Sequence, residues 1–285
     1  GQEPSGEEGR ALTSASGRDV GAPDGAHVDA GTGGHAVTRH PVMSATSRGL
    51  WTFTADTDLL LRLSASGFDW LAIDAQHGPV DRAALHAIGR ALADAATPLV
   101  VRVPAVDAAW IGAALDAGAA AVIVPSITGV SDAVRAARAS RYPPEGDRSW
   151  GPFPPVWGGS APQAATANAD VACWALIETA GALADVGAIA ATPGIDSLFV
   201  GPLDLALSLG TTVDGLLDDH DPGGPIAVIV AAAARHGILV GAFAGSPAAA
   251  ARLRPHGIHC LAVATDLGVV TEGCRSLLAE DGVTP

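Results

Sequence analysis

Residues 174–210, WALIETAGALADVGAIAATPGIDSLFVGPLDLALSLG, read as strand, turn, helix, loop, strand and turn. Ala175-Leu176-Ile177 is a short apolar run that ends in an acid, Glu178. A helical stretch over Ala182–Ala191 follows, then a turn at Pro193-Gly194. A second apolar run, Ser197–Val200, breaks at Gly201-Pro202 and delivers another acid, Asp204. In a βαβ unit, successive parallel strands lie roughly 4.8 Å apart with their C-terminal ends on one face. Glu178 and Asp204 are therefore expected as neighbours at that end of an α/β sheet. Two carboxylates so placed either grip one hard cation or share a proton. Taken alone, the pair reads as two solvated turn acids; the rest of the chain decides between these.

Outward from this unit, apolar strand candidates recur at Leu50–Thr54, Trp70–Ile73, Leu99–Val103, Ala121–Val124, Cys173–Ile177, Leu198–Val200, Ile238–Ala242 and Cys260–Ala264. Helical stretches separate most of them: Asp81–Ala95, Ala108–Ala117, Ser131–Ala139, Ile226–His236 and Pro247–Leu253. Gly67, Gly118 and Gly237 follow such stretches as candidate C-caps. Eight strands alternating with helices give the count of an α/β fold of the (β/α)₈ TIM-barrel type. The alternative is a doubly wound open sheet, but the glycine-rich dinucleotide fingerprint is missing after the first strand, which also argues against NAD. Residues 1–45, rich in Gly, Ser, Ala, Glu and Asp and without apolar periodicity, read as a disordered extension. Residues 46–285 read as one barrel domain.

The 285 residues carry a formal charge of −14, which argues against nucleic acid or an anionic membrane as partner. No apolar run reaches the ~18 residues of a membrane span, and no basic-then-apolar signal opens the chain. Cys173, Cys260 and Cys274 are odd in number and widely spaced, and read as thiols of a reducing cytoplasm. All sixteen basic residues are Arg. Without Lys there is no Schiff-base lysine, no covalently held pyridoxal phosphate (PLP) and no Walker A loop. Carbonyl chemistry here must draw on a metal or on hydrogen bonds as its electron sink.

In a barrel, function sits where strands end at the C-terminal face. Strand one carries Trp51, and strand two ends in Asp74-Ala75-Gln76-His77-Gly78-Pro79. Strand three carries Arg102, strand four ends at Pro125-Ser126, strand five at Glu178, and strand six at Gly201-Pro202-Leu203-Asp204. An imidazole, a guanidinium and two carboxylates thus converge on one mouth. Singly, His77 reads as a turn residue, Asp74 as a helix cap and Arg102 as a partner for a nearby acid.

The run Gly67-Phe68-Asp69-Trp70-Leu71-Ala72-Ile73-Asp74-Ala75-Gln76-His77-Gly78-Pro79 resembles the signature of the metal-dependent pyruvate aldolases of the HpcH/HpaI family. That family includes 4-hydroxy-2-oxoheptanedioate and 2-dehydro-3-deoxyglucarate aldolases. Val101–Pro104, Leu115–Ala119, Val124-Pro125, Arg141–Pro144 with Gly146 and Arg148, Ile177–Thr179 and Phe199–Leu205 match in order, so the resemblance spans about residues 48–280. It implies a barrel of the phosphoenolpyruvate/pyruvate type. It also implies a carbon–carbon lyase acting on a 2-oxo acid (pyruvate or oxaloacetate) and an aldehyde.

By the same resemblance, Glu178 and Asp204 are ligands of a divalent cation (Mg²⁺, Mn²⁺ or Co²⁺), and Arg102 meets the carbonyl where an enolate oxygen develops. His77 is the general base, acting through water, and Asp116 the acid that orients it. An imidazole, with an intrinsic pKa of about 6.5, suits proton traffic at neutral pH. Backbone amides around Leu203 and Asp204, next to Pro202, hold the substrate carboxylate, and Trp51 flanks the pyruvate pocket. Gln76 stands where the family usually has Glu, and Leu176 replaces a polar residue. Both departures put a sugar-acid or heptanedioate substrate in doubt. They admit as alternative a specialised biosynthetic lyase or decarboxylase like macrophomate synthase, a relative within the family. A non-catalytic barrel binding protein is the reading of another class, against which the intact His77, Arg102, Glu178 and Asp204 set speaks. The resemblance further implies a homo-oligomer, a hexamer built as a trimer of dimers that exchange the last helix. The apolar C-terminal stretch, Leu267 to Leu278, is consistent with that exchange.

Overall fold

The computed structural model describes residues 46–153, 161, 163–258 and 260–280. The expected extension over residues 1–45 lies outside them. The strands are β1 (Arg48–Thr52), β2 (Trp70–Asp74), β3 (Leu99–Arg102), β4 (Ala121–Val124), β5 (Ala172–Ile177), β6 (Ser197–Val200), β7 (Leu239–Phe243) and β8 (Cys260–Thr265). They form a closed barrel in chain order. Every neighbouring pair is parallel, and β8 closes onto β1 through Arg48↔Leu261 and Trp51↔Thr265. The expected strands fall within a residue or two of these bounds, and the doubly wound alternative is excluded by the closure.

Alternation along each strand divides two cores. Leu71, Ile73, Val101, Val122, Ile177 and Leu198 pack outward under the helices. Trp51, Trp70, Trp174 and Phe199 fill the barrel interior with Ala72, Ala121, Ala172 and Ala262. Trp174 stacks on Phe199 at 5.7 Å, and Trp70 meets Trp174 edge-on at 5.9 Å. Such large rings fit only where facing residues are small. A Cβ on Gly241 would lie 2.6 Å from Phe199, and one on Gly49 would overlap the Trp70 ring.

The helices are α1 (Thr57–Ser64), α2 (Arg82–Ala91), α3 (Ala108–Asp116), α4 (Val130–Ala139), α5 (Ala164–Asp170), α6 (Ala180–Ala184), α7 (Val186–Ala190), α8 (Pro202–Ser208), α9 (Val213–Leu217), α10 (Pro225–Arg235), α11 (Pro247–Leu253) and α12 (Asp266–Glu280). Gly118 and Gly237 directly follow the C-cap residues of their helices with φ of 89° and 67°, the expected left-handed stop, whereas Gly67, with φ of 90°, lies two residues beyond the Ala65 cap of α1. Two expectations shift. The stretch Asp81–Ala95 shortens at both ends: Asp81 is the N-cap of α2, accepting from the Ala84 N–H at 2.8 Å, and Leu92 is its C-cap, donating to the Ile88 carbonyl at 3.0 Å. The single helix over Ala182–Ala191 divides into α6 and α7, because Asp185 leaves helical geometry and closes one while opening the other. Cys173 and Cys260 are buried and free, and burial pushes both thiols up to about 12. Among the described residues no helix is long and apolar enough to cross a membrane.

Gly49→Ala tests the interior packing. The added methyl must displace Trp70, and overpacking of this kind costs about 1–3 kcal/mol. Urea unfolding reads that loss directly; an unchanged midpoint would show that the Trp70 layer has slack.

Candidate active site

The C-terminal ends of the strands enclose a cavity of about 300 Å³ whose lining includes Trp51, His77, Arg102, Glu178, Leu203 and Asp204. Pro202 lines it as well. Seven of the expected residues are thus brought together at the ends of successive parallel strands.

The organising group is Asp74, the last residue of β2 and fully buried. Strand register sets it directly beside Arg102 of β3. The Arg102 Nε donates to Oδ1 at 3.0 Å, and Nη2 donates to Oδ2. The Trp51 indole N–H reaches Oδ2 at 3.1 Å, and the backbone N–H groups of Gln76 and His77 reach Oδ1 at 3.0 and 3.1 Å. Burial alone would raise this carboxyl, but the hydrogen bonds and charge of Arg102, with those of His77 and Trp51, hold it below the ordinary aspartate value. Arg102 also lies over the Trp51 ring at 5.1 Å. One carboxylate therefore fixes the guanidinium, the indole and the turn that carries His77. Read from sequence as a helix cap, Asp74 has this larger role, and the register of β2 on β3 is the signal for it.

Glu178 follows β5 and is 5% exposed. Its Oε1 accepts the Ser126 N–H at 2.6 Å. Ser126 holds φ at 57°, the one positive value outside glycine among the described residues, a strained geometry that aims this amide. Across from it, a Cβ on Gly201 would come within 3.1 Å of the Glu178 Cβ and 3.2 Å of Oε2, so a side chain there would crowd the carboxylate. Burial raises the Glu178 carboxyl above the usual glutamate value, opposed by the Ser126 N–H, with the Asp204 charge adding to the rise and Arg102 countering it. Two carboxylates lining one partly dry cavity offer an all-oxygen donor set, which fits a hard divalent cation. Among the described residues no cluster of three or more His, Cys, Asp or Glu side chains gathers, so other oxygens must complete such a site. Asp204 stands in the first turn of α8, whose first hydrogen bond runs from the Leu205 N–H to Gly201 at 3.0 Å. The amides of Leu203 and Asp204 precede it and have no intrahelical partner.

Two expected residues stand apart. Asp116 ends α3, and α3 leads into the start of β4, so Asp116 lies at the opposite end of the barrel from His77. It accepts from Arg148 at 2.8 Å instead, within a cluster in which the Arg148 guanidinium covers the Tyr142 ring at 4.7 Å. The expectation that Asp116 orients His77 is not met within the chain, because helices run antiparallel to their strands. Gln76 lies beside the cavity without lining it, and its buried Oε1 has no hydrogen-bond partner.

Residues 47–272 match the sequence pattern of the HpcH/HpaI aldolase/citrate lyase family. A hydroxypyruvate/pyruvate aldolase of Paraburkholderia phytofirmans is 38% identical over 240 residues, covering 81% of this chain and 92% of that one. The crystal structure of an HpcH/HpaI aldolase/citrate lyase family protein from Burkholderia cenocepacia J2315 is 36% identical with a TM-score of 0.75, covering 84% of this chain and 95% of that one. Macrophomate synthase is 28% identical with a TM-score of 0.70, covering 83% and 84%.

Asp74→Asn tests the organising pair. Removing one partner of a buried ion pair costs about 3–5 kcal/mol at neutral pH. Because the folded-state carboxyl is depressed, its contribution is complete above the unfolded value of about 3.9 and is lost as pH falls through the lower folded value. Urea unfolding of both proteins across that range is expected to show the gap narrowing in acid. A gap independent of pH would assign the loss to packing.

Proposed function

We propose that this chain, which belongs to the HpcH/HpaI aldolase/citrate lyase family, makes and breaks the C3–C4 bond of a 4-hydroxy-2-oxo acid through the enolate of pyruvate. It is a carbon–carbon lyase, which sets aside the non-catalytic alternative. The observation that carries the reading is the convergence of His77, Arg102, Glu178 and Asp204 on one cavity.

Glu178 and Asp204 would hold a divalent cation, Mg²⁺, Mn²⁺ or Co²⁺, which when bound supplies the positive charge that favours the enolate of a 2-oxo acid. Arg102 adds to that charge at the oxo oxygen. Its Nε and Nη2 are committed to Asp74, which fixes the fork in place before substrate arrives and leaves Nη1 for the developing oxyanion. The amides of Leu203 and Asp204 receive the substrate carboxylate. Trp51, held by Asp74, walls the pyruvate methyl or methylene group. His77 takes the proton of the 4-hydroxyl as the C3–C4 bond breaks and the electron pair moves into the 2-oxo group. In the reverse direction His77 returns that proton to the aldehyde oxygen as the bond forms. Loss of CO₂ from oxaloacetate gives the same enolate, so decarboxylation is the expected side activity.

A homo-oligomer is part of the reading. Along α12, Leu267, Val270 and Leu277 are 65%, 57% and 67% exposed, an apolar face that a second copy would cover. A trimer of dimers that exchange this helix supplies such a cover. Asp116 keeps a catalytic role only across an interface of that kind.

The test is His77→Ala in the Mn²⁺-saturated protein, with aldol cleavage and oxaloacetate decarboxylation measured on one preparation. A general base contributes about 10²–10⁴, and decarboxylation needs no hydroxyl proton removed, so cleavage should fall at least about 100-fold further. EDTA should abolish both reactions in the wild type. Equal losses in the variant would mean that His77 positions substrate and that the base lies elsewhere.

A further inference from the structure

We propose that the aldehyde half of the substrate is apolar, carrying an alkyl or aryl group and no carboxylate of its own; this rests on the aldolase reading above. With the 2-oxo acid lodged between Arg102 on β3 and the carboxylates after β5 and β6, the aldehyde must lie toward His77, after β2. The sector next to His77 runs back through β1 and β8 to β7. What that sector presents to the cavity is aromatic: Phe53 just beyond β1 and Phe243 at the end of β7. Phe243 meets the Trp51 ring edge-on at 5.2 Å. Phe53 is anchored beside the base: its carbonyl oxygen lies 3.2 Å from where a Cβ on Gly78 would stand.

Polar groups close to this wall are already engaged as acceptors. The Asp266 carboxylate accepts the Phe53 and Thr54 amides at 2.9 and 3.0 Å, and the Thr265 hydroxyl accepts from Gly268 at 2.9 Å. Among the described residues lining the cavity the only guanidinium is Arg102, already held by Asp74. A carboxylate on the aldehyde would therefore enter an apolar wall with no free guanidinium among the described lining residues to pair it, and a polyhydroxylated chain would find few partners there. Burying either group without a partner is unfavourable. An alkyl or aryl group instead gains contact with Phe53, Phe243 and Trp51.

The experiment compares benzaldehyde with succinic semialdehyde as acceptors for pyruvate. Because the chain contains no Lys, amine adducts of either aldehyde are confined to the N-terminus. The expected result is a kcat/KM at least about 10-fold higher for benzaldehyde. Phe243→Arg or Phe53→Arg, whichever folds, should reverse the order by giving the second carboxylate a partner. Saturation-transfer NMR, which needs no turnover, should show protein-to-ligand transfer for benzaldehyde and little for the semialdehyde. A preference for the semialdehyde in either assay, or the same order in the Arg variants, would overturn the proposal. Oxaloacetate decarboxylation by the wild type, followed separately, reports on the aldolase reading, so the two ideas fail independently.

Discussion

A carboxylate sealed at the end of a strand needs every lone pair satisfied, and Asp74 meets that demand by gathering the site around itself. Five donors converge on it: two from the Arg102 guanidinium, one from Trp51, and the amides of Gln76 and His77. An unpaired ion there would be strongly unfavourable, so folding and the positioning of Arg102 are one event. The consequence for chemistry is preorganisation. A long, flexible side chain is fixed before substrate binds, and the indole that walls the cavity is fixed with it.

The second constraint is volume. A small barrel interior is ordinarily filled by branched aliphatic side chains. Here three indoles and a phenyl ring occupy it, and alanines and glycines opposite them make room. This floor lies directly beneath the candidate active site, since Trp51 and Phe199 belong to both. An apolar floor raises Glu178 and makes a neighbouring cation more favourable than water would. The dryness that shifts the acid also shapes the acceptor wall.

Much of this was legible in the chain itself. The apolar runs and their terminal acids located eight strands because a strand buried on both faces carries a strong local signal. The site residues followed because parallel strands bring their ends together. Less legible were features that depend on what sits across from a residue. The Asp74 hub needs the register of β2 on β3, and the strained Ser126 needs Glu178 to donate to. The break at Asp185 reflects local capping against an otherwise continuous helical pattern. Asp116 was assigned by resemblance, and chain direction places it at the wrong end of its own barrel.

The proposed chemistry requires Glu178 and Asp204 to act as one cation site. Mn²⁺ binding, followed by electron paramagnetic resonance in wild type, Glu178→Gln and Asp204→Asn, tests that claim without any assumption about substrate. Circular dichroism verifies that each variant is folded. One ion per chain is predicted in the wild type, with affinity lower by more than about 100-fold in either variant, since even residues behind a metal ligand typically contribute 10–100-fold. Undiminished binding in either folded variant would contradict the account.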